Sequence, residues 1–529
     1  MTRQAAALLS VMFAPLILAV ASPTSAQEVL TYHNDAARTG QNLNETILTP
    51  GNVSVNTFGK LFTILTDGKV DAQPLYVSAV VMPGKGTHNV LFVATEHDSV
   101  YAFGAATGIT LWHRNLLKQG EVPSDNRNCS EMAPEIGITA TPVIDHAAGV
   151  HGTIYVLAMS KSPSGEYFQR LHALDVATGE EEFGGPVDIH ATFPGTGDGS
   201  NNGSLIFNPK KYKSRPGLLL VNNVVYTSWG SHCDSRPYTG WIIGYNETSL
   251  QQVNVLDTTP NGSGGSLWSS GAGLAADVSG NIYFLVANGT FDTTPNSNGF
   301  PDKGDFGNGF LKVSTLNDQL AVTDYFDMFN TLAESTLDVD LGSGGALVLP
   351  DMKDSQEQVR HLAVGAGKDR KIYLVDRDNM GKFHPTANKI YQELSTALAG
   401  PEYGMPAYFS GTLYYGAVGD AIRAFPFLNG RLLKLPSSIT RTKFRFPGAT
   451  PSISANGTTN GIVWAAENTA VAVLHAYDAG NLARELYNSN QATSGRDHFG
   501  AGNKFITPTI ANGRVYVGTT TGVGVFGLR

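Results

Sequence analysis

The chain has 529 residues, 42% of them hydrophobic and only 15% charged, well below the roughly one quarter charged that soluble domains usually carry. That composition excludes a disordered chain. Lys and Arg together number 36 against 45 Asp and Glu, a net charge of −9, and no basic cluster of the kind that binds phosphate backbones is present, so nucleic acid is excluded as the partner. With 59 Gly, 26 Pro, 20 Tyr and 25 Phe, pleated and half-buried surfaces broken by turns are favoured over long helices, and an all-β fold is expected.

At the start, Thr2-Arg3-Gln4 places a positive charge before the apolar run 5–20, and Thr24-Ser25-Ala26 supplies small residues for cleavage before Gln27. Residues 1–26 are therefore expected to be a signal peptide, and the mature protein to be secreted or periplasmic. The apolar run falls short of the about 20 residues a spanning helix needs, and no later stretch qualifies, so no membrane span is expected after cleavage. Residues 27–57 form an N-terminal extension to a domain covering 58–529. In an oxidising compartment the two cysteines, Cys129 and Cys233, can form one disulfide. Two cysteines alone cannot build a four-thiolate zinc site. Eight Asn-x-Ser/Thr sequons, from Asn44 to Asn456, are acceptors only in a eukaryotic secretory route.

One phrase then recurs along the chain: an apolar strand, a short polar gap, a second strand, a turn and a third strand. Its clearest copy is 90–95 (VLFVAT), 99–103 (SVYAF), Ala106-Thr107-Gly108 and Thr110-Leu111-Trp112. The second has 153–158, then 170–175 (RLHALD) and Ala177-Thr178-Gly179. Later copies begin at Val224, Asn281, His361, Thr412, Gly461 and Arg514, which makes eight. No copy can bury both faces of a small sheet alone, so the copies must stack around an axis: an eight-bladed β-propeller is predicted. The last copy stops without an outer strand, whereas 58–65 (FGKLFTIL) precedes the first blade's own inner strand, 72–82. The early segment is expected to close the final blade and leave no long free edge.

In such blades the turn between the second and third strands and the link between blades emerge on one face. Glu96-His97-Asp98, Glu131, Glu135, Glu166, His232-Cys233-Asp234, Arg236, Tyr238, Asn288, Asp292, Asp338, Asp340 and Lys368 all fall in such positions. A polar, carboxylate-rich mouth is expected there, although many loop residues are polar merely because they meet water.

The strings Tyr-Ala-Phe and His-Ala-Leu-Asp, followed by Ala-Thr-Gly and Leu-Trp, resemble the repeat of the eight-bladed quinoprotein dehydrogenases, which use pyrroloquinoline quinone (PQQ). The tail 508–527 (PTIANGRVYVGTTTGVGVFG) is similar to their last blade, and the resemblance runs from about residue 58 to the end. It implies an oxidoreductase acting on small alcohols or sugars, with PQQ and calcium as cofactors. Glu166 in Ser-Gly-Glu-x-x-x-Arg, Asn288 in Val-Ala-Asn-Gly and Asp338 in Leu-Asp-Val-Asp match the residues that hold calcium and cofactor there. The resemblance makes Asp338 the general base that takes the alcohol proton as hydride leaves for the quinone. Lys368 becomes the cation beside the quinone oxygens, and Trp268 the ring beneath the cofactor. Two features depart from the family: it has an adjacent cysteine pair, absent here, and Cys-x-x-Cys-His is also missing, so electrons would leave through an external acceptor.

Because the same repeat builds non-catalytic scaffolds, a cofactor-free propeller binding a protein or glycan partner stays open. A third reading is a polysaccharide-acting enzyme. His232 and His97 each stand beside an aspartate and suit acid–base work near neutral pH, and Tyr238 with Arg236 suits a sugar or uronate.

Overall fold

A computed structural model describes residues 28–529; the expected signal sequence lies outside them. Short, mostly apolar runs, buried on both faces in the middle strands, pair into eight antiparallel sheets arranged as a propeller. Blade 1 takes Leu75–Met82, Gly86–Ala94, Ser99–Gly104 and Thr110–Asn115 from the axis outward. The inner strands of blades 2 to 8 are Val143–Asp145, Leu219–Val221, Ala275–Ala276, Leu347–Val348, Ala407–Phe409, Ser452–Asn456 and Thr509–Ala511. Blade 8 is completed from the other end of the chain: Phe58–Leu65 pairs antiparallel with Gly522–Leu528, from Phe58 opposite Leu528 to Leu65 opposite Gly522. The closing strand thus forms as the sequence predicted.

The core lies between blades, where the faces of adjacent sheets meet. Phe92, Phe103 and Trp112 of blade 1 pack with Ile154 and Val156 of blade 2 on one side and Tyr516 and Val523 of blade 8 on the other. The recurring Ala-Thr-Gly and Leu-Trp strings have a physical cause here. Gly179 turns with φ +70°, and an added Cβ would meet the Trp112 ring at 2.7 Å, while Trp112 Nε1 donates to Val176 O at 3.0 Å. Each turn therefore seats an aromatic ring from the blade before it. Phe62 of the closing strand does the same at Gly108 (φ +70°, 2.9 Å).

The N-terminal extension is a plug. Residues 29–42 run around the axis and touch all eight blades. Val29 bridges Tyr76, Leu30 O accepts from Ile144 N, and Ala36, Ala37, Thr39 and Gly40 accept from Ala276, Val348, Tyr408 and Ile453. Asn42 Nδ2 donates to Ile510 O of blade 8, at 2.8 Å. Blade 3 is reached through Arg38, which is fully buried: Nη2 donates to Leu218 O (3.0 Å), Nε to Leu274 O (2.8 Å), and Nη1 to Thr31 Oγ1 and Tyr32 O (2.7 and 2.8 Å). Among the described residues no helix is long and apolar enough to cross a membrane.

Candidate active site

On the face bearing the second-to-third-strand turns and the interblade links, a cavity of about 250 Å³ opens at the axis. It lies near the low end of ordinary small-molecule sites, roughly 300–1,000 Å³, and so takes one compact ligand. Eight of the expected mouth positions converge there, Glu131, Cys233, Asp234, Tyr238, Asn288, Asp338, Asp340 and Lys368, together with the expected Trp268. Cys233 lines its rim and is joined to Cys129 by a disulfide with a Cα–Cα distance of 6.3 Å.

At the centre stands Lys368, just after the strand Leu362–Ala366 of blade 5. Its Nζ is 2.9 Å from Asp338 Oδ1 and 2.6 Å from Asp340 Oδ1. Asn288 Nδ2 donates to the same Asp338 Oδ1 at 2.8 Å, and Trp268 Nε1 donates to Asp340 Oδ2 at 3.0 Å. Burial works against the Lys368 ammonium, but Asp340 and Asp338 outweigh it and hold its pKa above the usual lysine range. Burial raises Asp340, an effect that Lys368 opposes. Asp338, carried on the link that follows the short helix Thr331–Thr336, leaves its Oδ2 uncommitted and its side chain 78% exposed.

A second group of charges lies deeper. Arg215 is only 9% exposed, packs 4.4 Å over the ring of Phe505, and has no hydrogen-bond or ion-pair partner for its guanidinium among the described residues. Lys213, 1% exposed, is 3.4 Å from the buried Glu96, and burial pushes its pKa down to about 8. Lys504 pairs with Glu131 at the rim. Four aromatic rings close a circuit beside these cations: Trp268 to Tyr403 (5.8 Å), Tyr403 to Phe446 (5.4 Å), Phe446 to Phe505 (6.3 Å) and Phe505 to Trp268 (6.4 Å). Of these cations Lys213 and Lys504 have carboxylate partners, whereas the Arg215 guanidinium has none in contact among the described residues; aromatic rings beside such a cation suit an anion that carries flat rings, because a buried charge without a partner is costly. Sequence reading missed Lys213 and Arg215. The signal was the K-x-R spacing in the extended segment before blade 3, which puts both side chains on one side of the chain.

Two expected residues are elsewhere. Glu166 is exposed at the tip of the blade 2 hairpin, its backbone N–H bonded to Ser162 Oγ at 3.1 Å, and it does not line the cavity. His232 is buried behind the rim, where its Nδ1 meets Arg127 Nη2 at 2.7 Å. Desolvation, aided by the Arg127 charge, lowers its pKa to about 4. It does not line the cavity. His97 pairs with Glu135 at 3.0 Å, also outside the cavity lining.

PQQ would find cations here for its carboxylates in Arg215 and Lys213, an indole for its rings in Trp268, and donors for its quinone oxygens in Lys368 and Asn288. Calcium does not. It needs 6–8 oxygen ligands, Glu166 is absent from the site, and Lys368 already stands between Asp338 and Asp340. Among the described residues no group of three or more His, Cys, Asp or Glu is arranged to hold a metal ion.

No protein-family model matches the chain, and no curated protein matches it. Solved structures do. The quinohemoprotein alcohol dehydrogenase of Comamonas testosteroni aligns over 95% of this chain and 80% of its own, with a TM-score of 0.60 and 13% identity. A europium-containing methanol dehydrogenase aligns over 95% and 98%, with a TM-score of 0.57 and 12% identity. BamB from Moraxella catarrhalis aligns over 89% and 99%, with a TM-score of 0.50 and 13% identity. At that identity the likeness concerns the backbone: the chain has an eight-bladed β-propeller fold like that of the quinohemoprotein alcohol and methanol dehydrogenases.

Proposed function

We propose that the axial cavity binds PQQ and that the protein is a quinoprotein-type oxidoreductase acting on small alcohols or sugars. The observation that carries this reading is Arg215: a guanidinium nine-tenths buried, with no hydrogen bond or ion pair among the described residues, only the longer-range pull of Asp71, Glu96 and Glu131, and lying over the Phe505 ring of the cavity. Such a group calls for an anionic ligand, and the neighbouring rings call for a flat one.

When bound, PQQ would supply a quinone that accepts two electrons from an alcohol carbon. The chain's own residues do the rest. Arg215 and Lys213 hold carboxylates at the floor. Trp268, fixed through Nε1 to Asp340, orients a flat ring. Asn288 and Lys368 hold Asp338 by one oxygen, and the other, uncommitted oxygen would take the substrate hydroxyl proton. The Lys368 ammonium stabilises negative charge that develops beside it. Phe446 and Phe505 keep water from the inner end.

The test is to add PQQ to purified protein, measure bound-quinone absorbance and quenching of tryptophan fluorescence, then follow dye reduction with alcohols or sugars. Tight binding is expected, weakened about tenfold or more in Arg215→Ala, the loss of one charge-assisted contact. Folded wild-type protein that neither binds PQQ nor reduces dye would end this reading in favour of a cofactor-free propeller.

A further inference from the structure

We propose that Lys368 is the resident cation of the cavity, so that PQQ is held with no metal ion; this rests on the reading above. In the fold neighbours' setting a divalent or trivalent ion would be sought among the side chains of Asn288, Asp338 and Asp340, and here that space is taken. Lys368 Nζ lies within 2.9 Å of Asp338 Oδ1 and 2.6 Å of Asp340 Oδ1. The oxygens left around it are few. Asp338 Oδ1 already receives Asn288 Nδ2, and Asp340 Oδ2 already receives Trp268 Nε1. Asn288 Oδ1 is buried and unpartnered, and Asp338 Oδ2 is uncommitted. Two such oxygens fall far short of the 6–8 that calcium takes, and a metal ion among them would sit against an ammonium of like sign.

The ammonium is also held where it stands. Lys368 N donates to Asp340 O at 3.0 Å, and an added Cβ at Gly367 would meet Leu341 Cα at 2.5 Å, so the blade 5 turn and the Asp340 link are locked backbone to backbone. The Nζ further lies 5.9 Å and 6.0 Å from the ring centres of Trp268 and Tyr403, an arrangement that favours a retained positive charge. Asn288 Oδ1 then serves as a neutral acceptor beside the ligand and not as a metal donor.

Equilibrium binding of PQQ tests this, with full-length protein stripped by EDTA and the same protein supplied with calcium or with lanthanum. The expected dissociation constants agree within about twofold across the three conditions. Lys368→Met in EDTA, at a temperature where circular dichroism shows it folded, is expected to bind at least about tenfold more weakly, as removal of a charge-assisted contact predicts. Binding that appears only with added calcium or lanthanum overturns the resident-cation proposal and leaves the PQQ reading intact. Absence of binding in every condition overturns the PQQ reading itself. A Lys368→Met protein that binds as tightly as wild type in EDTA overturns the proposal from the other side.

Discussion

Asp338 shows how much chemistry one residue can gain from its neighbours. Its backbone takes the left-handed conformation at φ +57°, and Cys233, Asp234 and Phe505 around the same cavity do likewise. For side chains other than glycine, such conformations cost on the order of 1–3 kcal/mol each and gather at ligand sites. They aim these groups inward where regular strands would not. Asp338→Asn keeps the shape and an acceptor oxygen for Lys368 but removes the base. We expect turnover to fall by about 10²–10⁴ while PQQ affinity, read by fluorescence titration, stays within a few-fold of wild type. A parallel collapse of affinity would make Asp338 a binding residue instead. This aspartate was legible in the sequence because it sits in a local string; Arg215 was not, since its importance comes from partners it lacks, and no string of residues displays a missing partner.

Among the elements, strand length explains why one expected residue lines the cavity and another does not. In blade 4 only four residue pairs, Ile282 with Val313 to Leu285 with Phe310, join the second and third strands. The turn opens early, and Asn288 faces the cavity. In blade 2 nine pairs run unbroken from Thr153 with Asp175 to Lys161 with Tyr167. The five extra pairs carry the turn about 17 Å further along the strand, and Glu166 ends in solvent. The repeat pattern marks that both residues occupy the same gap; it carries no measure of how far each hairpin extends. Blade 7 yields a prediction at this scale. His475 on its third strand is buried between Glu467 of the second strand (2.7 Å) and Glu485 of the outer strand (2.8 Å). Desolvation lowers the histidine, but the two carboxylates outweigh it and raise its pKa above the ordinary 6.5. For Glu485 desolvation raises, and the bond to His475 more than reverses it, to below the ordinary 4.5. The histidine contribution is therefore complete below pH 6.5 and lost as pH rises through its folded value. The Glu485 contribution is complete above pH 4.5 and lost as pH falls through its own. The rivet is at full strength between those limits and contributes about 1–3 kcal/mol. Thermal melts of wild type should drop from pH 6 toward pH 9 more steeply than those of His475→Gln, which should already be less stable at pH 6. Parallel pH profiles would refute the assignment.

For the whole molecule, closure occurs twice, and only one closure was legible. The outer ring is closed by Phe58–Leu65, whose apolar run reads as a strand lacking a partner until the last blade is counted. The inner ring is closed by residues 29–42, which have no apolar period because they bind through backbone atoms and polar side chains. That plug also sets the floor of the site. Tyr32 lines a small void of about 10 Å³, the size of one water, which shares Arg215, Lys504 and Phe505 with the ligand cavity above it. The plug thus lies directly beneath the inner end of the cavity. Arg38 holds the plug through four hydrogen bonds of 3.0 Å or less, spread over the plug itself, blade 3 and the start of blade 4, without a carboxylate in contact. Only a planar fork with donors on three nitrogens reaches all of those oxygens together; an ammonium at the end of a lysine would satisfy one or two and leave buried carbonyls unpaired. Arg38→Lys should therefore lower unfolding stability by at least about 2 kcal/mol, seen as a lower urea midpoint, despite keeping the charge. If that variant matched wild type, the plug would be held by its backbone contacts alone, and Arg38 would be no more than a passenger within it.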